Sequence, residues 1–144
     1  MANKIIVERI TRIESPVQDV WRWHTRPGAF ERLTPPWEEV RIVERNGGIE
    51  NGARVAFEVK VGPAWLRWVA VHRDVISGRR FVDVQESGPF TSWVHEHEMT
   101  PDAAGGTILR DCITCEPPLG AAGSLFGATF VRHKLERTLR YRHS

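Results

Sequence analysis

From Val40 to Pro117 the chain is a succession of strand-like segments, each closed by a turn signal, and this constrains the fold more than any single motif. Val40–Arg45 runs into a turn with Gly47-Gly48, Ala53–Val61 into Gly62-Pro63, and Leu66–Ile76 into Ser77-Gly78. Arg80–Glu86 runs into Ser87-Gly88-Pro89, Thr91–Thr100 into Pro101-Asp102, and Thr107–Glu116 into Pro117-Pro118. Gly admits positive φ and Pro cannot donate to a ladder, so these residues end strands. Short connections between successive strands imply an antiparallel meander. An earlier strand covers residues 3–14, where Ile6, Glu8, Ile10 and Arg12 alternate with Ile5, Val7, Arg9, Thr11 and Ile13.

Ser15-Pro16 reads as the N-cap and first position of a short helix with Val17, Val20, Trp21 and His24 on one side. Pro27-Gly28 breaks it, and Ala29–Leu33 reads as a second short helix ended by Pro35-Pro36. Leu119–His143 reads as a long final helix, with Ala121, Leu125, Ala128, Val131, Leu135 and Leu139 on one stripe. Phe126 and Phe130 lie opposite that stripe. They would cover a cavity entrance, meet a second subunit in a homodimer, or pack on the short helices. Gly120, Gly123 and Gly127 weaken the start of this helix, which suits a mobile lid. One long helix can cover such a sheet only if the sheet curls around it. The expected fold is α+β, a helix grip: a curved antiparallel sheet of about seven strands, two short helices after the first strand, and a long C-terminal helix.

The 144 residues suit one domain spanning 1–144 and leave no room for two. Apolar residues at 41% and charged residues at 26% argue against disorder. A net charge of +2 is too small to imply a nucleic-acid partner. The basic run Arg132, Lys134, Arg137, Arg140 and Arg142 reads as a solvated helix face whose cations suit the helix C-terminus. Residues 1–9 lack the apolar core of a signal peptide, and no apolar run would span a bilayer, so the expected location is cytoplasmic. Cys112 and Cys115 form a C-x-x-C, but on a strand rather than at a helix N-terminus. Positions three apart on a strand face opposite sides about 10 Å apart, which excludes a disulfide or a shared metal.

The order of elements resembles the helix-grip fold of the superfamily that holds START domains, Bet v 1-like allergens and aromatic polyketide cyclases. Local motifs resemble a bacterial branch of it, the ligand-binding SRPBCC or cyclase/dehydrase-like proteins. They are Leu33-Thr34-Pro35-Pro36-Trp37, the run Phe81 to Phe90 read as F-x-D-x-Q-x-x-G-P-F, and Trp93-Val94-His95-Glu96-His97 as W-x-H-x-H. Asp111 in the following strand and Pro118-Leu119-Gly120 before the last helix match as well. The resemblance covers essentially the whole chain and implies the fold, with an internal cavity for a small hydrophobic ligand. It implies no cofactor and no metal. Some members of the branch are fused to a nucleotide-sugar epimerase-like domain, which is not found in these 144 residues. Relatives tend to continue beyond a Tyr141-Arg142-His143, so the final helix is expected to be short.

Strand parity sorts the candidate site. Trp93, His95, His97 and Met99 share a face, while Val94, Glu96 and Glu98 form a solvent face. Trp68, Ala70 and His72 share a face, as do Phe81, Asp83 and Gln85, and Leu109, Asp111, Ile113 and Cys115. With all of these faces concave, one cavity would hold His72, Asp83, Gln85, His95, His97 and Asp111 among Trp68, Phe81, Trp93 and Leu109. A β-bulge would flip part of that set. Buried Asp and His are costly unless paired. The group is therefore a structural network, a recognition site for polar points on a ligand, or a catalytic group for cyclisation or dehydration. In the catalytic reading His95 or His97 is general acid or base, oriented by Asp83 or Asp111. His-x-His with His72 or Asp111 would be a minimal metal set, a weak signal by itself. Trp21 and Trp23 read as core or rim, Trp37 as a plug for one end of the cavity, and Trp65 as part of its mouth. Three functions follow: a binding module for a lipid, polyketide-like or aromatic metabolite; a cyclase or dehydratase; or an interaction domain with a vestigial cavity.

Overall fold

Alternating β-branched and aromatic residues place seven strands, among the described residues, in one antiparallel sheet. The structure is a computed structural model and describes residues 4–26, 29–47, 50–61, 63–117 and 128–143. The elements are β1 (Ile5–Ile13), α1 (Val17–Thr25), α2 (Ala29–Leu33), β2 (Val40–Asn46), β3 (Arg54–Val61), β4 (Ala64–Ile76), β5 (Arg80–Ser87), β6 (Ser92–Pro101), β7 (Thr107–Glu116) and α3 (Ala128–Arg142). The sheet order is β1-β7-β6-β5-β4-β3-β2. Strands β2 to β7 thus form a meander, and β1 pairs on the free side of β7. The two edges, β1 and β2, are linked in sequence through α1 and α2.

Two apolar clusters attach the helices to the concave face. Val131, Leu135 and Leu139 of α3 pack on Ile5 and Val7 of β1 and on Ile113 and Cys115 of β7. These are the later members of the expected stripe. Ala121 and Leu125, the opposing Phe126, the glycines at 120, 123 and 127 and the Pro118-Leu119-Gly120 motif lie outside the described residues, as does the side chain of Phe130. Val20 of α1 packs on Phe81, Met99 and Leu109, with Val17 and Trp21 beside them. Each cluster joins residues far apart in sequence and removes several large side chains from water, at roughly 1.5–3 kcal/mol each.

Ser15 is not the helix cap. Pro16, with ψ at 150°, is the N-cap of α1, and no side chain caps it. Proline disfavours helical geometry in the residue before it. The Ser15 carbonyl is engaged elsewhere, accepting Thr107 Oγ1 at 2.7 Å. Among the described residues three register shifts occur, at Ile42/Glu44, Val69/Ala70 and Arg73/Ile76. In the second, Val69 pairs with Ser87 and Ala70 with Gln85, so the extra residue lies on β5 after Gln85. The parity of Trp68, Ala70 and His72 therefore survives. The third takes up Asp74, at φ 52°, beyond His72. Gly78, at φ 77°, closes the β4–β5 turn in a conformation that L residues avoid. Among the described residues no helix is long and apolar enough to cross a membrane.

The basic run on α3 is only in part a solvated face. Arg132 donates to the Ile6 carbonyl at 2.9 Å, and Lys134 pairs with Glu38 at 3.2 Å. Arg142 donates to the Leu33 carbonyl at 3.2 Å, and Lys134 and Arg142 both border the cavity described next. Cys112 and Cys115 are free and buried, on opposite faces of β7.

Candidate functional site

The register of four neighbouring strands builds a chain of imidazoles and carboxylates. Asp83 on β5 lies opposite His72 on β4 and opposite His95 on β6. His97 on β6 lies opposite Asp111 on β7 and opposite Phe81 on β5. Their side chains connect directly and along the diagonals. His72 Nε2 is 2.6 Å from Asp83 Oδ1, and His97 donates from Nε2 to Asp83 Oδ2 at 2.7 Å. His97 Nδ1 faces Asp111 Oδ1 at 3.1 Å, and His95 donates from Nε2 to the same oxygen at 2.7 Å. The other oxygen of Asp111 accepts His143 Nε2 at 2.6 Å, and His143 Nδ1 is 2.7 Å from Thr11 Oγ1. The network thus runs from the middle of the sheet through β7 to β1 and the end of α3.

The rings stack as well as bond. His95 and His97 lie 3.8 Å apart between centroids, and Phe81 stacks on the far side of His97 at 4.1 Å. An imidazolium against an aromatic face is a cation–π contact. Burial alone would neutralise every member of this chain. For Asp83 burial is outweighed by His72 and His97, which hold its carboxyl far below the usual range. Asp111 is held well below that range in the same way, by His143, His95 and His97. For His97, burial lowers the pKa but Asp111 and Asp83 raise it more, to about 9, so it is an imidazolium at neutral pH. Burial, then the charge of His97, push His95 down to about 4, so it is neutral. Two neighbouring histidines on one strand thus hold opposite protonation states.

The network borders a cavity of about 570 Å³ between the sheet and α3. Trp68, His72, Phe81, Asp83, Trp93, His95 and His97 line it. Trp93 meets Trp68 edge-on at 4.8 Å, Phe90 lies 5.5 Å from Trp68, and Phe57 stacks on Trp68 at 5.7 Å. These rings form an aromatic wall beside the polar chain. Val131, Leu135 and Thr138 of α3 face it, and His24, Thr25 and Leu33 close one side.

Three residues expected in the cavity are not in its lining. Gln85 grips the β5–β6 turn: its Nε2 donates to the Phe90 carbonyl at 2.8 Å and its Oε1 accepts the Phe90 N–H at 3.1 Å. Asp111 stands behind the two histidines, with a side chain only 3% exposed. Leu109 is core beneath Phe81. Two tryptophans also differ from expectation. Trp65 is opposite in parity to Trp68, half-exposed, and has the Arg41 guanidinium 3.9 Å over its ring. Trp37 stays outside, edge-on to Tyr141 at 5.4 Å and under Arg137 at 4.0 Å. Residues that sequence reasoning left out of the site are His143, His24, Phe57, Phe90 and Ile113. Phe57 and Ile113 sit on the right parity of their strands. His143 lies after the helix, where no periodicity points to Asp111.

Asp83, His95 and His97 each offer a ligand atom within 4.8 Å of the others, spacing that a cation could bridge. In the arrangement seen, hydrogen bonds between carboxylates and imidazoles already engage Asp83 and His97.

Comparison with known proteins agrees with this architecture. The family model described as polyketide cyclase / dehydrase and lipid transport matches residues 4–142. No curated protein matches the sequence. Among solved structures, a nucleoside-diphosphate sugar epimerase from Corynebacterium glutamicum is 30% identical, with a TM-score of 0.64 over 93% of this chain. This chain spans 29% of that protein. A START superfamily protein from Mycobacterium smegmatis is 13% identical, with a TM-score of 0.69 over 96% of this chain and 94% of its own. Zhui aromatase/cyclase from Streptomyces sp. R1128 is 20% identical, with a TM-score of 0.67 over 97% of this chain and 87% of its own. The last two show the fold alone. With a helix gripped by an antiparallel sheet, a cavity between them and a family model that matches nearly end to end, the chain belongs to the polyketide cyclase / dehydrase and lipid transport family.

Proposed function

We propose that the chain binds a small hydrophobic molecule, of the lipid, polyketide-like or aromatic class, in the cavity between the sheet and the C-terminal helix. The cavity itself carries this reading. About 570 Å³ is ample for a ring system of several fused rings or a folded acyl chain. Phe57, Trp68, Phe90, Trp93, Ile113 and Leu135 supply apolar walls, and one cluster of polar side chains converges on the same space. Ligand sites combine these two features: apolar area for affinity and a few fixed polar points for orientation.

A cyclase or dehydratase using the same residues is the second reading, favoured by the side chains of His72 and Asp83, which are 15% and 22% exposed beside the cavity. The protonation states weigh against it. Carboxylates engage both nitrogens of His97, so no proton is free to move to a substrate. His95, with a pKa of about 4, is a weak base at neutral pH. Charge held in place by mutual pairing suits orientation better than proton transfer.

Native mass spectrometry of the purified protein, then thermal melts with a panel of apolar compounds, tests the proposal. The expected result is a retained or added apolar molecule that raises the melting temperature, by the linkage of binding to folding. Protein that retains nothing and is stabilised by none of the panel would overturn it. Turnover of a keto compound that disappears in His97→Gln, with the fold intact, would favour the enzyme instead.

A further inference from the structure

The further inference rests on the ligand-binding reading above and concerns one atom of the cavity wall. His95 lines the cavity, yet its side chain is only 5% exposed. Its Nε2 lies 2.7 Å from Asp111 Oδ1. Asp111 also faces His97 and His143, so three imidazoles surround an ionised carboxylate that can only accept hydrogen bonds. Nε2 must therefore carry the hydrogen of the neutral ring. Nδ1 then presents a lone pair, and it has no hydrogen-bond partner among the described residues. The imidazolium of His97, stacked 3.8 Å away, opposes a second proton on His95 and keeps that lone pair available. Nδ1 is not among the fully buried atoms left without a partner, so it opens on the cavity, and a ligand that covers it without offering a donor leaves it unpaired at a desolvation cost.

We infer that His95 Nδ1 accepts a hydrogen bond from a hydroxyl group on a neutral ligand whose remaining body is apolar, a phenol, enol or alcohol. Two other ligand chemistries fit Nδ1 less well. A carboxylate placed at Nδ1 would set its own lone pairs against that lone pair, so the cations that border the cavity, Lys134 and Arg142 among them, could draw it only to another part of the wall. An ether or hydrocarbon of the same shape would cover Nδ1 and leave it unpaired. Trp68 and Trp93, in edge-on contact, form an apolar corner in which a ring bearing that hydroxyl would rest on one indole face. His95 is thus a specificity-determining residue, and Asp111 acts through it by fixing the tautomer.

The test compares 2-naphthol, 2-methoxynaphthalene and 2-naphthoate on the full chain at pH 7, by calorimetry and tryptophan fluorescence. Naphthol is expected to bind about tenfold or more tighter than the ether, and naphthoate, wherever the cations of the rim hold it, to leave the Nδ1 resonance of His95 unmoved. His95→Phe keeps an aromatic ring against His97 and should bring naphthol and ether to equal affinity. His95→Phe also takes a donor from Asp111 and so weakens the fold. The 15N resonance of His95 Nδ1 in the unsubstituted protein therefore gives a second readout. Naphthol should shift it and the ether should not. Equal binding of naphthol and ether, or an Nδ1 resonance that naphthol leaves unmoved, would overturn the inference. If neither compound binds, the ligand-binding reading fails and the role of His95 falls with it.

Discussion

His97 donates to Asp83 across a diagonal of the sheet at 2.7 Å, although the residue directly opposite Asp83 is His95. The diagonal is short enough for side chains of this length. It frees His95 to reach Asp111 instead, itself one rung off the direct pair His97–Asp111. Two carboxylates thereby share His97, and the charges of the site alternate along it.

Stability should peak near pH 6.5. His97 is raised from an ordinary value of 6.5 to about 9, so its contribution is complete below pH 6.5 and is lost as pH climbs through 9. His95 is lowered from 6.5 to about 4, so its neutral burial costs stability as pH falls from 6.5 towards 4. Asp83 and Asp111, both lowered, add a further loss in more acid solution. Urea melts at constant ionic strength from pH 4 to 10 should trace a dome. A flat profile between pH 6.5 and 9 would contradict an imidazolium at His97.

Asp111→Ala should be among the most damaging single substitutions. It removes the shared acceptor of His95, His97 and His143 and unties the end of α3 from β7. A loss of roughly 3 kcal/mol or more is expected, since it leaves buried partners unpaired. Glu14→Ala, which removes an exposed partner of Arg12, should be almost silent in the same denaturation experiment.

Ala70→Phe should fill the cavity without disturbing the network. Ala70 lines the cavity on the same face of β4 as Trp68 and His72. Circular dichroism and melting should report a native fold. Affinity for apolar ligands should fall by about tenfold or more, as the volume is taken by the protein itself. Unchanged affinity would place the ligand elsewhere.

Gln85→Ala should act on the turn rather than on ligand binding. It removes both hydrogen bonds to the Phe90 backbone, at a cost of about 1–2 kcal/mol. Gln85→Glu keeps an acceptor for the Phe90 N–H and should recover part of that. Gly88→Ala should also destabilise, because an added Cβ would stand 2.5 Å from Gln85 Oε1. Faster hydrogen exchange of the Phe90 amide in Gln85→Ala is the direct check.

The strand and helix order was legible because it depends on local rules. Turn residues closed β7 at Glu116 and β5 within one residue of the observed end. Parity assigned His95 and His97 to the face that the structure shows buried, because side-chain direction in a strand alternates whatever lies around it. The same rule applied to Trp65 would have placed it outside, as it is. Gln85 has the parity of Asp83 but is long enough to turn towards Phe90, and parity says nothing about reach.

Periodicity and turn chemistry are properties of neighbouring residues, so the sheet, the helices and the concave set could be read along the chain. Register, partner choice and charge are not local. That His97 bonds Asp83 while His95 bonds Asp111 follows from how β5, β6 and β7 slide against one another. That His143 reaches Asp111 follows from where α3 ends once Leu139 is packed among Ile5, Val7 and Ile113. The opposite protonation states of two histidines two residues apart depend on burial and on those distant carboxylates, which exist as neighbours only in the folded protein.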